Sequence, residues 1–253
     1  MSIVDRLWGF VKKSIEYMTN GQPAVIIRLM PDRAIKLELF DQFARVAQAL
    51  ASGRRVEIVD ILANGDRTVD ELARQVGLST ANTSQHLQVL KEAGLLTASR
   101  DGTRIRYRLA AETVYQFWVG LRSLAAERLP GVNGLVDTYL GSQEGLVPMS
   151  REELLARLDS GEALVVVDVR PTEEYRAAHV AGAVSIPLDE LEQRLRELPE
   201  DRQIVAYCRG PYCAFAPEAV RTLRAHGYAA RHLKDGLPEW VASGGRTQGE
   251  NYA

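Results

Sequence analysis

Apolar residues in the first half of the chain recur at helical spacing. In the second half they come in short continuous runs. Residues 1–22 place Ile3, Val4, Leu7, Trp8, Val11, Ile15 and Met18 near one face, which predicts an amphipathic helix ended by Asn20-Gly21. Lys12 and Lys13 beside Trp8 would suit a membrane surface, but packing on its own domain or on a second subunit is the simpler use of that face. From Ile35 to about Ala51 a helical pattern runs through Leu37, Leu39, Phe40, Phe43, Val46, Ala47 and Leu50, and Ser52-Gly53 breaks it. A second helix is predicted from Arg54 to Ala63. Thr68-Val69-Asp70-Glu71 has the form of a capping box, so a helix starts there and runs to about Gln75. Ser79 caps the next helix, from Thr80 to about Ala93, and Gly94 ends it. Leu96 to Ala98 and Arg104 to Leu109 read as two strands joined across residues 99–103. Helix, turn, helix, hairpin is the order of a winged helix-turn-helix. Ala111 to Leu129 predicts a last helix with Val114, Phe117, Trp118, Leu121, Leu124 and Ala125 on one face.

Pro130 to Pro148 is rich in Gly and Pro and reads as a linker, although Leu135 to Leu140 could extend a helix. Ser150-Arg151-Glu152-Glu153 is a second capping box. Leu164 to Val169 is a continuous apolar run, as in a buried parallel strand. Strands at Val184–Pro187, Gln203–Tyr207 and Ala229–Leu233 then alternate with helices at Leu188–Leu198, Ala214–Ala225 and Gly236–Ser243. That alternation predicts an α/β domain with a parallel sheet. The fold class is therefore two domains, a mainly-α winged helix-turn-helix followed by an α/β domain. The predicted bounds are an extension over 1–34, a winged helix-turn-helix domain over 35–130, a linker over 131–148, an α/β domain over 149–245 and a tail over 246–253.

Charge separates the halves. Residues 1–130 carry 18 Lys+Arg against 14 Asp+Glu, and residues 131–253 carry 13 against 19. A mildly basic half joined to an acidic one suits nucleic acid on the first side. No apolar run is long enough to span a membrane and no signal peptide is evident, so a cytoplasmic location is expected. Two cysteines five positions apart make no secreted disulfide framework.

The helix after Ser79 should bury Leu87 and Leu90. Ser79, Thr80, Asn82, Thr83, Gln85, His86 and Gln88 are left to face outward, and Lys91 lies near its end. Hydroxyls and amides on such a face suit phosphate oxygens and base edges in a major groove. Arg100, Arg104, Arg106 and Arg108 cluster on the hairpin, where a wing would meet backbone phosphates. The expected partner is double-stranded operator DNA.

The second candidate site is Cys208-Arg209-Gly210-Pro211-Tyr212-Cys213-Ala214, between a buried strand and a helix. Ligands of parallel sheets bind at the carboxyl ends of strands, and Cys208 lies at such an end. Loop N–H groups and the helix N-terminus favour an anion there, so a thiolate or persulfide would be stabilised. Two reduced, half-buried cysteines without chemistry are the plainer reading of the same spacing.

Several stretches resemble known families. Ala49-Leu50-Ala51-Ser52-Gly53-Arg54-Arg55, Val69-Asp70-Glu71-Leu72-Ala73, the run from Ser84 to Leu95 and the run from Gly102 to Leu109 look like ArsR-type (arsenic-repressor-like) regulators over about 35–130. The resemblance implies a homodimer, a palindromic operator and repression relieved by a ligand. Many members sense metals through cysteines on the helix before the recognition helix, or through His and Asp on the last helix. Both sets are missing from this sequence, so no metal site is expected in that half.

Asp168-Val169-Arg170, Glu174-Tyr175, the run His179 to Ala183, Ile186-Pro187, Tyr207-Cys208-Arg209-Gly210 and the run Gly236 to Trp240 resemble the rhodanese domain over about 148–245. This resemblance implies that Cys208 takes a sulfane sulfur as a persulfide and passes it to a thiol or other acceptor. It also implies that the backbone of about Arg209 to Ala214 cradles that sulfur. Asp168, Arg170 and His179 are expected to anchor loops near the site. One departure matters: sulfurtransferase loops of this type often carry a basic residue late in the loop, and here Cys213 stands there. Cys213 could resolve a Cys208 persulfide, could form a soft metalloid site with Cys208, or could only pack. Three functions follow: a repressor that senses sulfane sulfur, a sulfurtransferase with an attached regulatory domain, and a metalloid-responsive repressor. No cofactor is expected.

Overall fold

The computed structural model describes residues 33–141 and 145–250. The helix expected over 1–22 lies outside them. The chain divides into two compact units, residues 1–43 and 44–253. The described part of the first unit is the start of helix α1 (Arg33–Leu50), on which Ile35, Leu37, Leu39, Phe40 and Phe43 are all exposed.

In the second unit, α2 (Gly53–Leu62) buries Ile58, Val59 and Leu62. Strand β1 (Arg67–Thr68) leads into α3 (Val69–Val76). The predicted capping box is present: the Glu71 N–H donates to Thr68 Oγ1 at 3.4 Å and the Thr68 N–H donates to Glu71 Oε2 at 2.6 Å. Such a cap contributes about 1 kcal/mol. Gly77 closes the helix at φ +65°, a conformation that costs a residue with a Cβ. Helix α4 (Thr80–Glu92) follows, with Leu87 and Leu90 fully buried against α2 and α3. Strands β2 (Leu96–Asp101) and β3 (Arg104–Leu109) form the wing and pair with β1 in the order β1-β3-β2. Asp101 pairs with Arg104, so the strands run longer than expected and only Gly102-Thr103 turns, with Gly102 at φ +59°.

Helix α5 (Glu112–Arg128) buries Val114 and Tyr115 and leaves Phe117 and Leu124 exposed. Helix α6 (Gly131–Leu140) then occupies more than half of the stretch expected to be linker. Its Gly131 and Asn133-Gly134 read as breakers, but an interior glycine costs only about 1 kcal/mol, which a short helix can absorb.

The α/β part begins with α7 (Arg151–Asp159), where Ser150 Oγ accepts the Glu153 N–H at 3.1 Å. It continues through β4 (Leu164–Asp168), α8 (Thr172–Ala177), β5 (His179–Val180) and β6 (Val184–Ser185). The predicted helix over 188–198 is broken into α9 (Leu191–Arg194) between two single 3-10 turns. Then come β7 (Gln203–Tyr207), α10 (Phe215–Ala225), β8 (Ala230–His232), α11 (Leu237–Ala242) and β9 (Thr247–Gln248). The sheet order is β6-β4-β7-β8, all parallel. Alternation along β4 and β7 buries Val167, Ile204, Ala206 and Cys208 against α10, and Val166, Val205 and Tyr207 against Leu154, Leu237 and Trp240. Each large side chain buried this way contributes roughly 1.5–3 kcal/mol. Residues 246–253 were expected to be a tail. Thr247 and Gln248 instead pair antiparallel with Val180 and His179, so these two residues belong to the fold. Among the described residues no helix is long and apolar enough to cross a membrane.

Candidate functional site

The cysteine loop follows β7. Strand alternation turns the Cys208 side chain into the core between sheet and α10, where the residue is 3% exposed. Its thiol donates to the Cys213 carbonyl at 3.5 Å and lies 3.9 Å from the Gly210 carbonyl. Burial pushes the Cys208 thiol well up, and the neighbouring Cys213 adds to this. N–H groups of Ala216 and Gly210 oppose it. Cys213 is half-buried. Its thiol is lowered to about 7, chiefly by hydrogen bonding with the Cys208 side chain. The N–H groups of Arg209 and Phe215 and the Arg209 charge act the same way, against burial. Phe215 opens α10, so part of this stabilisation comes from a helix N-terminus.

Gly236 fixes the loop from behind. A Cβ there would stand 2.2 Å from the Arg209 carbonyl carbon and 2.3 Å from the Gly210 nitrogen. Only glycine lets the two segments approach this closely. The Leu237 N–H donates to the Cys208 carbonyl at 3.3 Å.

Arg209 is not aimed at the thiols. Its guanidinium grips Glu174, with Nη2 donating to Oε1 at 2.7 Å and Nε 3.1 Å from both oxygens. Glu174 also pairs with Arg67 of the DNA-binding half at 3.0 Å and with Arg170 at 3.9 Å. Burial alone would raise this carboxyl, but Arg209, Arg67 and Arg170 together hold it below the ordinary carboxylate range. A second buried acid repeats the arrangement. Glu239 accepts from the Gly236 N–H at 2.9 Å and from Arg122 of α5. The Arg122 guanidinium lies over the Tyr212 ring, 5.7 Å from its centroid. Asp60 of α2 sits beside it and accepts the Trp118 indole N–H at 2.8 Å. The cysteine loop thus faces the DNA-binding half across a cleft of about 570 Å³.

Asp168 and Arg170 are fully buried and paired at 2.6 Å; the Tyr207 hydroxyl donates to Asp168 at 2.5 Å and Arg170 donates to the Ala178 carbonyl at 2.7 Å. His179 stacks on Tyr175 with ring centroids 3.7 Å apart, and its Nδ1 lies 2.7 Å from the Tyr175 carbonyl. These groups position strands and loops, and no hydrogen bond joins them to either sulfur among the described residues.

On the recognition helix Ser79, Thr80, Asn82, Gln85 and Lys91 are exposed and His86 is half-buried. Thr83 is a correction. It was expected to face outward, but it is fully buried and its hydroxyl donates to the Ser79 carbonyl at 3.0 Å. It lies one turn before Leu87 on the inward stripe, and back-bonding satisfies its hydroxyl there. The Thr80 hydroxyl is also engaged, donating to Asp70 at 3.1 Å.

The wing divides its arginines. Direct pairing puts Arg104 opposite Asp101, Arg106 opposite Ser99 and Arg108 opposite Thr97, all on one face, whereas Arg100 pairs with Ile105 on the other. The expected single cluster is therefore two sets. Arg106 donates to the Asp66 carbonyl at 2.9 Å and lines, with Arg67 and Glu174, a further cleft of about 790 Å³ between the two halves. Arg104 and Arg100 are exposed. Among the described residues no group of three or more His, Cys, Asp or Glu could hold a metal ion.

Arg67, Arg122 and Asp60 stand in no motif of the sequence, and Glu174 and Glu239 stand only within longer ones. Each looks like an ordinary surface charge until the two halves are brought together.

Comparison with known proteins bears on both halves. Residues 52–98 match the description "Bacterial regulatory protein, arsR family", and residues 150–243 match "Rhodanese-like domain". The HTH-type transcriptional regulator Rv0324 of Mycobacterium tuberculosis is 47% identical over 209 residues, 83% of this chain and 91% of that protein. YrkF of Bacillus subtilis, provisionally named a sulfur carrier protein, is 35% identical over 94 residues, 37% of this chain and 50% of its own length. A solution structure of a homodimeric winged helix-turn-helix domain from Mycobacterium bovis, Mb0332, is 41% identical and covers 44% of this chain and 94% of its own, with a TM-score of 0.37.

Proposed function

Since the chain belongs to the ArsR family of bacterial transcriptional regulators, with a rhodanese-like domain following its winged helix, we propose that sulfane sulfur taken up by the cysteine loop controls its affinity for operator DNA. Cys208 holds the sulfur as a persulfide and Cys213 is its partner thiol. One observation carries the reading: Arg209 of the cysteine loop and Arg67 of the DNA-binding half bind the same carboxylate, Glu174. A loop that swells or shifts on gaining a sulfur atom alters Arg209, and the Arg67 contact changes with it. Allosteric couplings of this kind amount to about 5–150-fold in affinity.

The DNA contacts in this reading are Ser79, Thr80, Asn82, Gln85, His86 and Lys91 on the helix, with Arg100 and Arg104 on the wing. The protein acts as a homodimer in the cytoplasm. The exposed apolar side chains of α1 and the exposed Phe117 and Leu124 of α5 support a dimer, because apolar patches of that kind are rarely left to water.

The test uses duplexes selected by the protein itself from a random pool. Binding is measured before and after treatment with sodium tetrasulfide, for wild type, Cys208→Ser and Cys213→Ser. A change of about fivefold or more in wild type that both variants lose supports the reading; unchanged affinity in wild type sinks it.

The similarity to YrkF favours a second reading, a sulfur carrier or sulfurtransferase with an attached regulator. Repeated turnover at catalytic protein concentration supports it. One sulfur loaded per subunit without turnover supports the sensor.

A further inference from the structure

We propose that Cys213, not Cys208, is the thiol that meets the sulfur donor, in a cleft whose far wall is the DNA-binding half, and that Cys208 receives the sulfur second. This rests on the reading that the loop takes up sulfane sulfur, and it reverses the order that the rhodanese resemblance implies.

The geometry of the two thiols differs sharply. Cys208 is 3% exposed and packed within the sheet–helix core, and it has no part in lining the cleft. Cys213 lines the cleft with Tyr212 and Phe215 of its own segment, and Asp60 and Ile61 of α2 lie across from it. At about 570 Å³ the space fits a small molecule, such as a low-molecular-weight hydropersulfide or inorganic polysulfide. The donor would thus touch the winged-helix half as it touches the thiol. Burial holds the Cys208 thiol up, while hydrogen bonding with Cys208 and with the N–H groups of Arg209 and Phe215 lowers that of Cys213, which favours the Cys213 thiolate. A thiolate is the nucleophile in sulfur exchange, and access decides which one reacts.

The chemistry balances without an external oxidant. The Cys213 thiolate attacks the outer sulfur of a hydropersulfide R–S–SH. A new S–S bond forms at Cys213 Sγ, the donor's S–S bond breaks, and RS⁻ leaves with the electron pair. RS⁻ leaves through the cleft. The Cys208 sulfur attacks the outer sulfur of the Cys213 persulfide and passes its proton to Cys213 Sγ as that S–S bond breaks. Cys208 becomes the persulfide and Cys213 returns as thiol.

The experiment treats the full-length protein with a limited amount of sodium tetrasulfide at pH 7, alkylates at timed intervals and locates the added sulfur by peptide mass spectrometry. Cys208→Ser is expected to load Cys213 at close to the wild-type rate. Cys213→Ser is expected to load Cys208 about tenfold more slowly or less. Loading of Cys213→Ser at the wild-type rate overturns the proposal, as does failure of Cys208→Ser to load. A measurement on unmodified wild type guards against misfolded variants. Iodoacetamide should modify Cys213 about tenfold faster than Cys208, and equal rates or the reverse order overturn the assignment. If wild type takes up no sulfur at either cysteine, the uptake reading falls and this inference with it. If sulfur loads first at Cys213 while operator affinity stays constant, the inference stands and only the sensing reading falls.

Discussion

The DNA-binding half holds two sets of arginines with opposite surroundings. Arg67 and Arg122 have side chains about one-tenth exposed and meet the buried acids Glu174 and Glu239. Arg100 and Arg104 stand in solvent at the tip of the wing. Residue type alone suggests one job, the binding of phosphate. Position divides it into two, because a guanidinium desolvated beside a carboxylate is a fastener and one in water is free to meet a new anion. Arg106 lies between these cases, half-buried and tied to the Asp66 carbonyl.

The largest effect is expected at Glu174. Glu174→Ala would leave Arg67 and Arg209 without their shared carboxylate, and stability is expected to fall by about 3–5 kcal/mol in urea unfolding. A loss under about 1 kcal/mol would put Arg67 with the exposed set. Next comes a double-mutant cycle on Arg122 and Glu239, whose coupling should reach about 0.5–3 kcal/mol. A coupling near zero would make this contact one of proximity only.

A third group of arginines sharpens the contrast from another side. His232 is buried near Arg224, Arg221 and Arg231, and its pKa is lowered to about 4, by burial first and then by these charges. A group with a depressed folded pKa contributes stability that is present above its ordinary value near 6.5 and lost as pH falls through the folded value. Unfolding midpoints should therefore fall between pH 6.5 and about 4 more steeply in wild type than in His232→Gln. Parallel pH profiles would show that His232 titrates normally. The smallest effect is expected on the wing. Arg104→Ala should weaken operator binding across sequences and reduce the salt slope by about one unit. Arg106→Ala should change the slope less, and equal changes would mean that Arg106 leaves Asp66 to reach DNA.

Local features were legible in the chain. The Thr68–Glu71 box, the Ser79 cap, the Gly77 turn and the buried run of β4 depend on neighbours within a few residues, so spacing reveals them. The cysteine loop was legible too, because a strand end followed by a helix start is a local pattern. Failures came where a distant partner or a one-residue register decides. The Thr83 hydroxyl suggests a water-facing residue, while the Ser79 carbonyl supplies its partner. Arg100 was grouped with Arg104 because closeness in sequence hides the alternation of a strand. The β9 pairing needs β5, which lies far earlier in the chain. Which thiol faces the cleft depends on the wall that α2 supplies, and nothing near residue 213 announces that wall.

Glu174 has one further consequence. Its Oε1 serves Arg209 and Arg67 at once, so residues 67, 174 and 209 form a single charge unit. A change at one alters what is tolerated at the other two. A rhodanese-like domain exchanged from another regulator would fit this winged helix only if it brought an acid to the same place, and would otherwise bury an arginine with nothing to hold. The two halves are thus matched in charge across this junction, even though each has a core of its own.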